Sequence, residues 1–486
     1  MHLQALPIDI LIVVIKDLDL QELVYLSQTC KLFKTLVHDF GWANYIRLHP
    51  RDSCSLDKSL RTWDPLSQVR HHVLTDKAWA RHKFAARPLS RPWQGKLQPL
   101  LAINPTRLVV AAGHTVYSYL FTTSGHLDSA PGMQFECSYN LSTTHNERRD
   151  ITSLAFVPDS GMDRTLYIGF EHGALERVFL PPAKIGQRDV AVGPTLRTPF
   201  NYHYGVLIES LSISGDLLLS LSANGTAGLL NLSSVSPTPT MVDLEDRGWS
   251  THLSTHSSTP YAAFGTSSAT PLVVHPITPS EIASTPSAVL HPKSSDSSFS
   301  SAVYGITGTP PSFPWGSSDS IIVSGWYDGF VHVHDLRASG HAPPPHSGSP
   351  NNPASLTPVL SLSDPWSFEP IYTVSCGGGA ASHIAAGSAR HSVVSFWDVR
   401  SPSTGWSVHA PGNDSSPVYS IVLESSRLFG ATQNRPFVYD FGPGVNPDTY
   451  PHLPRTHGDD GLPYKKNYKG VGFYVTKYSH RSAHID

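Results

Sequence analysis

Few side chains in this sequence are spaced for catalysis. His71-His72 and the Tyr202-His203-Tyr204 cluster carry imidazoles of the kind that hold zinc, but no third ligand follows at a workable spacing. Cys30, Cys54, Cys137 and Cys376 lie too far apart for a CxxC metal site or a disulfide framework. Gly377-Gly378-Gly379 could cradle a phosphate only ahead of a helix, and it falls between two predicted strands, so it reads as a hairpin turn. Asp328 reads as a turn residue rather than a general base, and Asp459-Asp460 as a solvated turn in a Pro/Gly segment. No phosphate loop, nucleophile elbow, HExxH helix or EF-hand loop is present in the sequence. The expectation is a chain without catalytic residues, metal or cofactor. Its chemistry is then recognition, and the elements that present recognition residues become the question.

Composition points to those elements. Charged residues are 15% of the 486 positions and proline numbers 41, a charge-poor, turn-rich balance that suits many short strands. The formal net charge of -3 gives no basic field for nucleic acid or anionic lipid, so neither is an expected partner. No apolar run approaches the roughly 20 residues that span a bilayer. The apolar stretch from Leu6 to Ile15 lacks a basic flank and is interrupted by Asp9, unlike a signal peptide. The expected setting is soluble and intracellular, cytoplasmic and/or nuclear.

Residues 6–48 are helical in pattern. Leu20, Leu23, Leu26, Cys30, Phe33 and Val37 recur at steps of three and four, and Ile10, Leu11, Val14, Ile15 and Leu18 form a shorter stripe behind Pro7. Some forty residues cannot bury this much apolar surface alone, so this chain or a partner must cover it. The string Leu6-Pro7-x-Asp9-Ile10-Leu11, with Leu18, Leu23, Leu26-Ser27, Cys30-Lys31-x-Phe33, Leu36-Val37 and Trp42, resembles the F-box motif. It departs from the usual pattern in Phe33, where Trp is commoner, and in Val14-Ile15. The resemblance implies binding to the Skp-type adaptor of cullin-based SCF ubiquitin ligases, through Leu6, Pro7, Ile10, Leu11, Leu23, Leu26, Cys30, Lys31 and Phe33. The alternative is a helical hairpin that packs on its own C-terminal domain. Residues 63–84 again show helical spacing, through Leu66, Val69, Val73 and Leu74, and read as a spacer helix.

From residue 97 the period changes to that of strands. Seven segments share one shape, an apolar strand, a tight turn and a second strand, at 108–121, 166–180, 217–232, 261–277, 321–337, 383–400 and 428–441. Further apolar strands precede most of them, as in ITSLAFV, VLIESLSI and PVYSIVL. Ser324-Gly325-x-x-Asp328-Gly329 with His334-Asp335-Leu336-Arg337, and Phe396-Trp397-Asp398-Val399-Arg400, resemble the WD repeat; the other five resemble it only as degenerate copies. Gly470–Tyr478 alternates and is the expected outer strand of the last repeat. The WD resemblance implies a binding face built by loops, which here carry Arg148, Arg149, Tyr204, Trp249, Trp326, Tyr327, Trp366, Tyr372 and Arg390. Aromatic and Arg side chains are those that interface hot spots use, although each aromatic could instead plug the top of its own sheet. Arg149 and Arg390 are the two cations placed for a phosphorylated group.

The sequence thus predicts a mostly β fold: a seven-bladed WD-like β-propeller preceded by a small all-α F-box and a helical linker. The divisions are 1–49 for the F-box, 50–96 for the linker and 97–486 for the propeller, with Pro/Ser-rich insertions near 279–300, 338–357 and 443–469. The resemblance implies a non-enzymatic substrate receptor that joins a Skp-type adaptor, and through it a cullin scaffold, to a protein substrate, phosphorylated or not. The alternative is a WD-repeat scaffold without a role in ubiquitination.

Overall fold

The computed structural model describes residues 6–51, 53–123, 130–142, 149–183, 187–234, 238–292, 300–308, 318–338, 353–412, 415–453 and 471–481. Arg148 and Asp459-Asp460 lie outside these, as do most of the insertions at 338–357 and 443–469.

The N-terminal module is helical because its apolar steps match the helix period. Helices α1 (Ile8–Lys16), α2 (Leu20–Thr29) and α3 (Lys31–Leu36) run through a π-helical turn, Val37–Gly41, into α4 (Trp42–Leu48). Asp19 starts α2 with a capping box, accepting from the Glu22 N–H at 2.8 Å while its own N–H donates to the Glu22 carboxylate at 2.8 Å. Leu11, Ile15, Leu23, Phe33, Leu36, Val37 and Trp42 form the core. Val69 joins the same core from a later helix. After the short α5 (Asp57–Leu60), that helix is α6 (Pro65–Ala80), capped by Asp64 and opened by Pro65.

Helix α6 is more than a spacer, because its far end is built into the sheet domain. Trp79 stacks on Phe441 with ring centroids 3.6 Å apart, and its indole N–H donates to the Ser425 carbonyl at 3.0 Å. The triple-glycine turn beside it makes room: Gly378, at φ +68°, would put a Cβ 3.0 Å from the Trp79 ring. Ahead of α6, the Ser55 N–H donates to the buried Glu424 carboxylate at 3.0 Å, which also accepts from the Ser53 and Ser55 hydroxyls. Arg51 closes the junction by pairing both guanidinium nitrogens with Asp76 at 2.7 Å.

The rest of the described chain is mostly β. Each predicted strand pair is the middle hairpin of an antiparallel unit: Arg107–Ala112 with Thr115–Phe121, Thr165–Phe170 with Leu175–Phe179, Leu217–Ser222 with Thr226–Asn231, Tyr261–Ser268 with Leu272–Thr278, Ile321–Trp326 with Phe330–Asp335, His383–Ser388 with Val393–Asp398, and Arg427–Thr432 with Pro436–Asp440. The first strand of each hairpin is almost wholly buried, which explains why these strands read as continuous apolar runs rather than alternating ones. On one side of each hairpin lies an inner strand, in order Leu100–Ile103, Ile151–Phe156, Ile208–Ser214, Arg247–Ser254, Ser301–Gly308, Ile371–Gly377 and Val418–Leu423. Several inner strands are hydrogen-bonded to the inner strand of the next unit through serines and threonines. Thr152 donates to the Ile208 carbonyl at 2.7 Å, Ser250 to the Val303 carbonyl at 2.9 Å, and the Leu423 N–H to Ser375 at 2.9 Å. The Leu101 N–H donates to Ser420 at 3.2 Å, which joins the first inner strand to the last.

Two expectations are corrected at the edges. The linker expected to be helical over 50–96 leaves the helix at Ala80, turns at His82 (φ 48°), and forms the strand Ala85–Pro88, antiparallel to Pro436–Asp440. That strand takes the edge expected for Gly470–Tyr478. The only described strand in the latter stretch, Lys477–Ser479, instead adds to Trp406–His409 at the edge of the preceding unit. There the Asp364 carboxylate gathers the hydroxyls of Ser407 (2.6 Å) and Tyr478 (2.7 Å) and the Trp366 N–H (2.9 Å), and it lies near His480 at 3.5 Å. Despite burial, these donors hold its carboxyl at about 2.

Candidate binding surfaces

The first surface is on the helical module. Helix α1 reads IDILIVVIK, with seven apolar residues in nine, yet only Leu11 and Ile15 are buried in the core, with Ile12 half-buried against it. Ile8 and Val13, each 57% exposed, stand outward with Ile10 and Val14. Val24 and Tyr25 of α2, Leu32 of α3 and Phe40 extend this apolar exposure. A helix apolar on every side belongs inside something. Among the residues expected to bind an adaptor, Pro7, Ile10 and Lys31 are exposed and Leu6, Leu26 and Cys30 half-buried. Leu11, Leu23 and Phe33 are placed in the module's own core, a correction that helical phase alone did not supply, because two stripes were available on α1.

The second surface is where the inner strands begin. Six of these strands shift register by one residue near their start, between Ile151/Ser153, Ile208/Ser210, Gly248/Ser250, Val303/Gly305, Ile371/Thr373 and Val418/Ser420. A bulge re-aims the side chain of the extra residue. The six extra residues, Thr152, Glu209, Trp249, Tyr304, Tyr372 and Tyr419, all line one cavity of about 460 Å³. Gln98, Leu100, Leu207 and Arg247 complete its wall. The rings follow one another around it. Trp249 and Tyr304 meet edge to face at 4.9 Å, Tyr304 and Tyr372 at 5.3 Å, and Tyr372 stacks with Tyr419 at 5.8 Å. The Arg247 guanidinium lies 4.0 Å from the centre of the Trp249 ring and 3.5 Å from the Glu209 carboxylate. Burial pushes the Glu209 carboxyl up to about 6, with Arg247 opposing part of the rise.

Of the predicted face residues, Trp249 and Tyr372 are thus brought together at this cavity. Tyr327 is exposed, with its ring 6.5 Å from Tyr304. Arg149 and Tyr204 share a recess of about 240 Å³, where Arg149 is already held by Glu176 at 3.3 Å and His172 at 2.7 Å. Trp366 lines a wide hollow of about 740 Å³ with Phe368, His391 and Tyr478, and Arg390 stands beside Glu369 at 3.7 Å. Trp326 is corrected: it is fully buried, its indole N–H donating to Ser324 at 2.8 Å. Sequence reasoning missed Glu209, Arg247, Tyr304 and Tyr419. A signal for three of them was present, since Ile151-Thr-Ser, Ile208-Glu-Ser, Gly248-Trp-Ser, Val303-Tyr-Gly, Ile371-Tyr-Thr and Val418-Tyr-Ser share one form: a residue that pairs, a residue that points to the cavity, and a small residue.

His71 and His72 are not paired with a third ligand: among the described residues no group of three His, Cys, Asp or Glu side chains is placed to hold a metal. Burial in α6 holds His71 near 4 and His72 near 3. Asp328 accepts from the Phe330 N–H at 3.1 Å, the geometry of a turn. Among the described residues no helix is long and apolar enough to cross a membrane.

A helical module with an uncovered apolar face, fastened to a set of sheets with a cavity on their inner strands, has the build of an interaction protein. Residues 3–42 match the F-box domain. No curated protein matches the chain. Among solved structures, the crystal structure of the WD40 beta propeller domain of Doa1 aligns with a TM-score of 0.46 at 14% identity, covering 74% of this chain and 97% of that one. The chain thus carries a region that matches the F-box domain, followed by a mostly β domain whose described strands form seven antiparallel units.

Proposed function

We propose that this protein is a non-catalytic substrate receptor of an SCF-type ubiquitin ligase, working in the cytoplasm or nucleus. The F-box binds the Skp-type adaptor, which joins it to the cullin scaffold, and the β domain holds the protein to be ubiquitinated. The observation that carries this reading is the apolar exterior of α1 within the matched F-box, because it asks for a partner surface and the F-box names the kind. At roughly 1.5–3 kcal/mol per large apolar side chain fully buried, the exposed residues of α1 alone supply enough for a stable complex after ordering costs. On this reading the β domain is a closed seven-bladed propeller, a count supported by the seven inner strands and the Leu101–Ser420 hydrogen bond. The divisions are then an F-box over 1–49, a docked linker, and a propeller that also recruits Ala85–Pro88.

Geometry also favours the receptor role. The inner strand Val418–Leu423 starts with Tyr419 at the cavity and ends at Glu424, on which the F-box side is fastened. Adaptor and captured protein thus occupy opposite ends of the β domain, and the rigid junction holds them at a fixed separation. Proximity is the mechanism, since a bound substrate lysine meets the charged conjugating enzyme at high effective concentration. The test is co-purification with the Skp-type adaptor and cullin, comparing wild type with Ile10→Ser/Val13→Ser. The expected result is capture by wild type and loss in the double variant at unchanged circular dichroism. Absence of capture by wild type overturns the reading.

A further inference from the structure

The cavity at the start of the inner strands contains a carboxylate with an incomplete environment. Glu209 is only 18% exposed, yet among the described residues its carboxylate accepts no hydrogen bond. Arg247, 46% exposed, is held by the Trp249 ring and stays 3.5 Å away, so it supplies charge without a hydrogen bond. A largely enclosed carboxylate that faces an open cavity keeps lone pairs available to an arriving donor. Around it stand four aromatic side chains whose faces attract cations, in an opening of about 460 Å³. Tyr304, Tyr372 and Tyr419 have no hydroxyl partners among the described residues, so they offer further acceptors. The protein's own guanidinium over Trp249 shows how a flat cation packs here. An anion at the same place would lie against Glu209.

We infer that this cavity binds a basic side chain, arginine or lysine, presented by an extended segment of a partner protein, with Glu209 accepting its N–H groups and the Tyr304 and Tyr372 rings flanking its stem. This rests on the reading of the β domain as the partner-binding half. The Arg247 cation beside the site then repels the incoming one and limits its affinity. Six bulges in separate units that converge on one opening give the site its construction, because each unit contributes one side chain and no single loop has to reach the axis.

The test is calorimetric titration of the full chain with capped tripeptides Ac-Gly-X-Gly-NH2, where X is arginine, lysine, citrulline or glutamate. Saturable binding is expected for arginine and lysine, and citrulline, the neutral isostere of arginine, is expected to bind about tenfold more weakly. Glu209→Gln and Tyr372→Leu each weaken the arginine peptide about tenfold, Tyr372→Phe keeps it, and Arg247→Ala tightens it about threefold. Citrulline binding as well as arginine, or a glutamate peptide that binds and is lost in Arg247→Ala, overturns the inference. The citrulline comparison needs no variant, so it stands even where a substitution fails to fold. Adaptor capture measured on the same preparations reads the F-box separately: failure of peptide binding with capture intact overturns only this site, and loss of capture with peptide binding intact overturns only the receptor reading.

Discussion

Two glutamates mark the two ends of the inner strands, and they live in opposite circumstances. Glu424 is buried where the helical module meets the sheets, and it accepts from the Ser55 N–H and from two serine hydroxyls. Glu209, at the other end, is half-buried at the wall of a cavity, with an arginine near it and no hydrogen-bond donor among the described residues. One end is finished: donors are matched to acceptors and Trp79 seals the seam. The other end keeps polar groups waiting. A carboxylate at an opening without a donor keeps its lone pairs available to what enters. Where the junction is complete, the protein holds itself together; the open end is where the inferred side chain would enter.

The strongest way to break the comparison is to unseal the finished end. Trp79→Ala removes the stack on Phe441 and the hydrogen bond to Ser425, and it is expected to destabilise the protein by about 3–5 kcal/mol. Thermal unfolding and protease sensitivity near residue 80 would check it; an unchanged midpoint would mean the module is only loosely tethered. Within the helical module, Leu11→Ala is expected to cost about 2–5 kcal/mol, since Leu11 is fully enclosed by the core.

The open end is sharpened by pH. The Glu209 carboxyl is raised to about 6 from an ordinary value of 4.5, so folding favours its protonated form. Its contribution is fully present below pH 4.5 and is lost as pH rises through 6, about 2 kcal/mol in all. Glu209→Gln should therefore stabilise the protein at pH 7.5 by roughly 1–2 kcal/mol and change little at pH 4. Denaturant unfolding at the two pH values measures the difference; equal effects at both would mean the carboxylate is not desolvated. The smallest effect on stability belongs to the exterior of α1. Ile10→Ser should shift unfolding by less than about 0.5 kcal/mol while weakening adaptor capture, the reverse of Leu11→Ala, whose effect is on folding first.

Much of this was legible in the residues. The middle hairpins announced themselves because their first strands are buried on both faces and carry mostly apolar, non-alternating runs such as LLLSLS and IIVSGW. The F-box was legible because its helical stripes are long and periodic. The strand Ala85–Pro88 was not: four residues, AARP, follow a helix and precede prolines, and only the free edge of Pro436–Asp440, distant in sequence, makes them a strand. The inner strand Arg247–Ser254, RGWSTHLS, was hidden by polar residues that face the neighbouring units. Trp326 was misplaced because its position at a strand end suggested exposure, whereas the pleat turns it inward onto Ser324. Tyr419 lies within the apolar strand PVYSIVL, where a bulge turns it to the cavity, and an apolar run does not by itself mark a bulge.

The pairing of Ala85–Pro88 with Pro436–Asp440 also governs how the molecule is made. During synthesis the first of these strands leaves the ribosome long before its partner, with roughly 350 residues still to come. At ~5–20 residues per second that is a wait of about 20–70 s. Through that interval an unpaired edge stands beside an already folded helical module, open to chaperones and to wrong neighbours. A domain whose late sheet is fastened by an early strand cannot finish folding until nearly all of it exists. Nascent chains stalled before residue 440 should therefore stay protease-sensitive at residues 81–88, and chains released beyond it should not.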